Sequence, residues 1–142
     1  MKRKARHYKQ SAVIPYRKRE DGTPEILLIT SMSAGKWIIP KGHLEGGMTP
    51  AESAEKEAFE EGGVVGKVSS TAVGSFVYEK RGAHYEVETF PLLVEVVLDT
   101  WDEQEYRSRA WFPIQEAIQT AQRKGIREVL DVFRQQWEQG LY

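Results

Sequence analysis

Residues 42–64, GHLEGGMTPAESAEKEAFEEGGV, constrain this chain more tightly than any other stretch of it. Thr49, Pro50 and Glu52 spell a helix start: a threonine N-cap, proline at the first helical position, and a glutamate placed to close a capping box. Gly62-Gly63 spells its end in the left-handed conformation. On that helix Glu57, Glu60 and Glu61 fall within an arc of roughly 100°. Like charges so spaced cost an isolated helix ~0.2–0.5 kcal/mol per pair, and these crowd the end where the helix dipole is negative. A fold that gathers carboxylates there either tolerates a solvated acidic face or holds a cation.

The neighbouring residues favour the cation. Ala51, Ala54 and Ala58 form a small-residue stripe that lets the helix lie close on a sheet. The three carboxylates start within roughly 20–60° of that stripe, at the rim of the buried face. Oxygen-only ligation suits Mg²⁺, with Mn²⁺ as the alternative. The chain has no cysteine and its three histidines are scattered, which argues against zinc. Just before the helix, Pro40-Lys41-Gly42-His43-Leu44-Glu45-Gly46-Gly47 is rich in glycine, so backbone groups can approach a ligand closely. Lys41 adds a point charge suited to phosphate. A carboxylate helix beside a glycine-rich basic loop points to a small phosphorylated substrate, with a divalent ion polarising phosphorus and acidifying an attacking water.

The rest of the chain predicts one mixed α/β domain. Its 142 residues suffice for a single core. Residues 1–9, MKRKARHYK, carry five lysines or arginines and no acid, and predict a loose basic N-terminal arm ahead of a single domain over residues 10–142. Strands are expected over 11–16 and 25–30 with a turn at Asp21-Gly22, over 37–39, over 64–80 and 84–98 with a turn at Arg81-Gly82, and over 109–112. Pro91 is expected to interrupt the second long run or to mark an edge. Helical spacing follows in Ile114, Ala117, Ile118 and Ala121, and again in Ile126, Val129, Leu130, Phe133 and Trp137. His84, Glu86 and Glu88 should share one strand face and Tyr85, Val87 and Thr89 the other. The absence of cysteine, of a secretory leader and of a long apolar run predicts a soluble, cytoplasmic protein without a membrane partner. A net charge of −1 argues against a DNA-binding groove. Monomer and homodimer stay open.

Gly42, Glu57, Glu60, Glu61, Gly63 and Val64 match the Nudix box, G-x5-E-x7-R-E-U-x-E-E-x-G-U, with Ala58 in the aliphatic position. The chain thus resembles the Nudix hydrolases. Two positions depart from the box: Met48 stands where glutamate is usual and Lys56 where arginine is usual. In the family those two often pair to brace the loop on the helix, so a changed brace is expected. Residues 37–42, with Trp101-Asp102-Glu103 and Arg107, Arg109, Trp111 and Phe112, are similar to the diadenosine polyphosphate and diphosphoinositol polyphosphate phosphohydrolase branch.

The resemblance implies a Nudix-type α/β/α sandwich around a mixed central sheet, and hydrolysis of a phosphoanhydride bond by metal-activated water. It also implies site residues. Glu57 and Glu61 would lead the metal ligands, with Glu60 as a third ligand or a water-orienting base. The Lys41 carbonyl and a downstream acid, Glu105 or Glu103, would complete the set. Lys41, Gly42, His43, Lys80, Arg81 and His84 would contact substrate. Two alternatives stand beside that reading: a non-catalytic Nudix domain that binds or senses a nucleotide, and a pyrophosphohydrolase acting on RNA 5′ ends.

Overall fold

Two long strands organise the sheet in the computed structural model, which describes residues 6–142. Strand β1 (Arg6–Lys18) runs parallel to β7 (Ala83–Val97), from Arg6 opposite Ala83 to Tyr16 opposite Leu93. Each carries shorter strands along its outer edge. Antiparallel to β1 lie β2 (Pro24–Thr30) at its C-terminal end and β4 (Lys41–His43) at its middle. Antiparallel to β7 lie β5 (Val64–Val68) and β6 (Gly74–Lys80). The sheet is completed on β2 by β3 (Trp37–Ile38) and β8 (Arg109–Pro113). It is therefore mixed, as expected.

Alternation along the strands divides the core between two faces. Helix α1 (Pro50–Gly62) lays Ala51, Ala54 and Ala58 on Val13, Leu27, Val64, Phe90 and Leu92. On the opposite face α2 (Ile114–Thr120) and α3 (Lys124–Glu138) cover Ile14, Ile26, Leu28 and Val87 with Ile126, Leu130 and Phe133. The architecture is the α/β/α sandwich. No helix among the described residues is long and apolar enough to cross a membrane.

Three local expectations change. Residues 1–5 of the basic arm lie outside the described residues, but Arg6–Lys9 are strand, paired to β7 from Arg6 opposite Ala83 to Lys9 opposite Glu86. Tyr8 and Gln10 alternate with the basic side chains, and Gln10 is buried. The run over 64–80 is two strands, broken where Ser69, Ser70 and Thr71 turn the chain. Pro91 does not interrupt β7. It is buried at the point where the partner on one edge changes, β6 ending opposite Thr89 and β5 taking over at Leu92. A residue without an N–H fits where the ladder asks for none, and its carbonyl accepts from the Ser69 N–H at 3.0 Å.

Candidate functional site

Both ends of α1 are fixed. The Thr49 hydroxyl accepts from the Glu52 N–H at 3.1 Å, and the Glu52 carboxylate accepts from the Thr49 N–H at 2.9 Å, closing the capping box. Gly63 ends the helix at φ 65°. The last turn of α1 holds no basic residue of its own. Arg109 of β8 supplies the charge instead: its Nη1 donates to the Gly62 and Gly63 carbonyls at 3.1 Å each and its Nη2 to the Leu98 carbonyl. The guanidinium lies over Trp101, its Cζ 3.7 Å from the ring centre. Free carbonyls and the negative dipole end are thus neutralised from outside the helix.

That anchoring brings the acidic turn against β4. Glu57 and Glu61 are 9% and 7% exposed, more buried than a position at the rim would give. The Glu57 carboxylate rests on Gly42: a Cβ built there would lie 2.3 Å from Glu57 Oε1. Only glycine leaves room for it. Glu61 Oε1 accepts from the Lys41 N–H at 3.0 Å, and Oε2 from Arg107 at 3.1 Å. Arg107 also donates to Glu103 at 2.9 Å and to the Thr30 carbonyl at 3.0 Å, pinning the 101–107 loop to the helix. Glu60, 30% exposed in its side chain, pairs with Lys56 at 3.5 Å.

Burial raises both inner acids. Glu57 is pushed up to about 7 by desolvation and then by the charge of Glu60. Glu61 is pushed up to about 8 by desolvation, against the pull of Arg107. Lys41 is pushed down to about 8, again chiefly by burial and next by Arg123. Lys56 takes up the brace that the departures at 48 and 56 leave open: its ammonium bonds Glu45, so loop and helix are joined by a Glu45–Lys56 pair.

Lys41 faces two ways. Register places it between the bonded pairs Val13–Pro40 and Leu44–Lys9, so its N–H points away from β1 and toward α1. In an antiparallel strand a residue's N–H and C=O share a side, so the Lys41 carbonyl also faces the carboxylate helix. Its side chain turns to the other face of the sheet. There Nζ donates to Tyr78 Oη at 3.0 Å, and Tyr78 Oη donates to Gln10 at 2.8 Å.

The remaining expected residues divide. His43 joins that second face, in edge contact with Tyr8, while Tyr8 and Tyr78 both stack on Tyr85. Lys80 lies close enough to Lys41 and Arg123 for their charges to depress it, after burial. Arg81 occupies the hairpin turn, next to Gly82. His84 does not join them. It follows the alternation expected of β7 and contacts His7 and Glu79 on the opposite face. Of the two downstream acids Glu103 is tied to Arg107 and its N–H reaches the Glu60 carbonyl, whereas Glu105 is exposed in a shallow groove with Phe59 and Trp101. Among the described residues no three His, Asp or Glu side chains form a ready ligand cluster. Glu60 is drawn to Lys56 and Glu61 to Arg107. Sequence reading missed the roles of Arg107, Arg109, Tyr78 and Arg123; spacing carries no signal for partners that meet only through the sheet.

Known proteins place this geometry. The NUDIX domain family model matches residues 7–133. Nudix hydrolase 18, mitochondrial, of Arabidopsis thaliana is 36% identical over 129 residues, covering 86% of this chain and 73% of that protein. Two further Arabidopsis Nudix hydrolases are matched over 63% and 60% of their own length. Diphosphoinositol polyphosphate phosphohydrolase 3-beta of Bos taurus is 33% identical over 118 residues, covering 80% of this chain and 69% of that protein. The fold is shared with a C. elegans Ap4A hydrolase crystallised as a binary complex, at a TM-score of 0.74 and 22% identity over 94% of this chain and 98% of that one. With a glutamate helix seated on Lys41 and Gly42 and a family match over nearly all its length, the chain belongs to the Nudix hydrolase family.

Proposed function

We propose that the chain hydrolyses a phosphoanhydride bond in a small phosphorylated compound, with Mg²⁺ as cofactor. The observation that carries this reading is the burial of Glu57 and Glu61 with too little positive charge around them. Arg107 answers Glu61, but no described residue donates a hydrogen bond to Glu57. Isolated buried carboxylates cost several kcal/mol by desolvation, and a fold retains them where a cation offsets that cost. The donors fit a hard divalent ion: all are oxygen, and the Lys41 carbonyl faces the same helix.

Glu57, Glu60, Glu61 and the Lys41 carbonyl would hold the ion, Mn²⁺ being an alternative, and Glu103 is the better placed of the two downstream acids. When bound, such an ion polarises a phosphoryl oxygen and lowers the pKa of water. The chain's own groups do the rest. The Lys41 N–H and Arg107 fix Glu61; Gly42 leaves the space that fixes Glu57. Lys41 Nζ offers a donor for phosphate oxygens from the other face. Water adds to phosphorus, the bridging oxygen departs with the bonding pair, and a carboxylate of this cluster takes the proton released.

Similarity to the diphosphoinositol polyphosphate phosphohydrolase supports substrates of dense phosphate charge, dinucleoside polyphosphates and diphosphoinositol polyphosphates foremost. The absence of cysteine supports a reducing, cytoplasmic setting. The test is turnover of dinucleoside polyphosphates, ADP-ribose, nucleoside triphosphates, triphosphorylated RNA and inositol pyrophosphates, with and without Mg²⁺. Glu57→Gln and Glu61→Gln should each lose about a hundredfold or more in turnover while keeping the fold. Wild-type turnover in both variants would refute the assignment.

A further inference from the structure

We propose that Arg123, at the junction of α2 and α3, is a substrate-binding residue: it grips a phosphate chain in a cationic cluster shared with Lys41 and Lys80 around Tyr78. The inference rests on the hydrolase reading only for what the chain is attached to; the cation cluster itself stands on its own geometry.

Tyr78 is the fixed point. Its ring lies on Tyr85 with centres 4.7 Å apart and planes 7° from parallel. Its hydroxyl is held at both ends, donating to Gln10 and accepting from Lys41. On this ring rest two cations, Arg123 Cζ at 4.2 Å and Lys41 Nζ at 4.9 Å from the ring centre. A common centre bounds their separation at about 9 Å. Attraction to the ring face orients a guanidinium while leaving its N–H edges free.

Those edges have nothing to bind. Arg123 is half-buried, yet its side chain makes no hydrogen bond and no ion pair with a described residue. Other arginines of this chain that stack on tryptophan also bond carboxylates or carbonyls: Arg17 with Glu25, Arg109 with three carbonyls. A stem covering an aromatic ring is ordinary packing; five unfilled donors beside an unpaired lysine are not. Lys80 and Arg81 extend the positive charge along the β6–β7 hairpin, and neither has an acidic partner among the described residues. Arg81 is also the only non-glycine described residue with positive φ, at 52°. That φ is what a two-residue turn between Lys80 and Ala83 asks of its first residue. Mutual repulsion in such a cluster falls when a multiply charged anion enters, and bidentate recognition of phosphate is what guanidinium geometry favours.

The cluster is tested without hydrolysis, by calorimetric titration of the full chain with inorganic tripolyphosphate and with orthophosphate, chelator present. Wild-type protein should bind tripolyphosphate more tightly than orthophosphate. Arg123→Ala should weaken tripolyphosphate binding about tenfold or more, and Arg123→Lys should fall between the two. Lys124→Ala removes the same charge one residue along, from an exposed side chain paired with Glu128 at 3.7 Å, and should leave binding unchanged. Arg123→Gln replaces the alanine variant if that one does not fold. Equal losses in Arg123→Ala and Lys124→Ala would reduce the effect to net charge and overturn the proposal. Wild-type binding in Arg123→Ala, or no tripolyphosphate binding by the wild-type chain, would overturn it too. Arg123-dependent binding in a protein that hydrolyses none of the substrate panel would refute the hydrolase reading and leave the cluster standing.

Discussion

Gly42→Ala separates the site from the fold with one methyl group. A Cβ at residue 42 would lie 2.3 Å from Glu57 Oε1, 2.5 Å from Cδ and 2.9 Å from Oε2, so the whole carboxylate must move. Nothing else is asked of the protein, because the backbone of Gly42 is not in the left-handed region and accepts alanine. The displaced group is the end of a flexible side chain. Turning it aside costs about 1 kcal/mol in rotamer strain and packing, a shift of roughly 2–4 °C in unfolding midpoint for a domain of this size. The functional cost is far larger, since displacing a reacting constellation by ~1 Å can lose about 10²-fold in rate. Thermal unfolding of the metal-free protein, set beside Mg²⁺-dependent turnover and Mg²⁺ titration, measures both. The expected pattern is a near-native melt, weakened Mg²⁺ response and turnover down about a hundredfold. Native turnover would show that Glu57 does not act from its position on Gly42, and the site would have to be rebuilt around Glu60 and Glu61 alone.

Further outcomes follow from the same side chains. Glu57 and Glu61 stand at about 7 and about 8 in the folded chain against 4.5 unfolded, so the folded state binds more protons between those limits. The contribution of these two groups to metal-free stability should therefore be full below pH ~4.5 and fall by several kcal/mol as pH rises to ~8. Mg²⁺ should restore it more at pH 8 than at pH 5.5, and a profile that is no flatter in the Glu57→Gln, Glu61→Gln double variant would refute the assignment. Arg109→Ala strips three carbonyls of their donor and should cost about 2–4 kcal/mol, read from denaturant unfolding; a loss below about 0.5 kcal/mol would show that water caps α1 equally well.

The helix was legible in the sequence because its signals are local. Thr49, Pro50, Glu52 and Gly63 act within one or two turns, and the alanine stripe follows from the helical repeat. Strand alternation likewise placed His84 and Tyr85 on opposite faces. It failed for residues 6–10, where charge concealed the period: Tyr8 and Gln10 face the sheet's aromatic side, but three basic side chains between and before them look like a solvated tail. The brace was expected to change, though not how, because Glu45 and Lys56 meet only once β4 and α1 are set. Partners from far along the chain were invisible. Arg107 reaches Glu61 across 46 positions and Tyr78 reaches Gln10 across 68; the pairing of β8 with β2 sets the first and the parallel pairing of β1 with β7 the second.

Lys41 has a wider consequence. Its peptide group belongs to the carboxylate side of the sheet and its ammonium to the tyrosine side. Mutation can replace a side chain but never a peptide bond. A substitution at residue 41 other than proline therefore rewrites what the tyrosine side presents, while the amide that holds Glu61 stays in place.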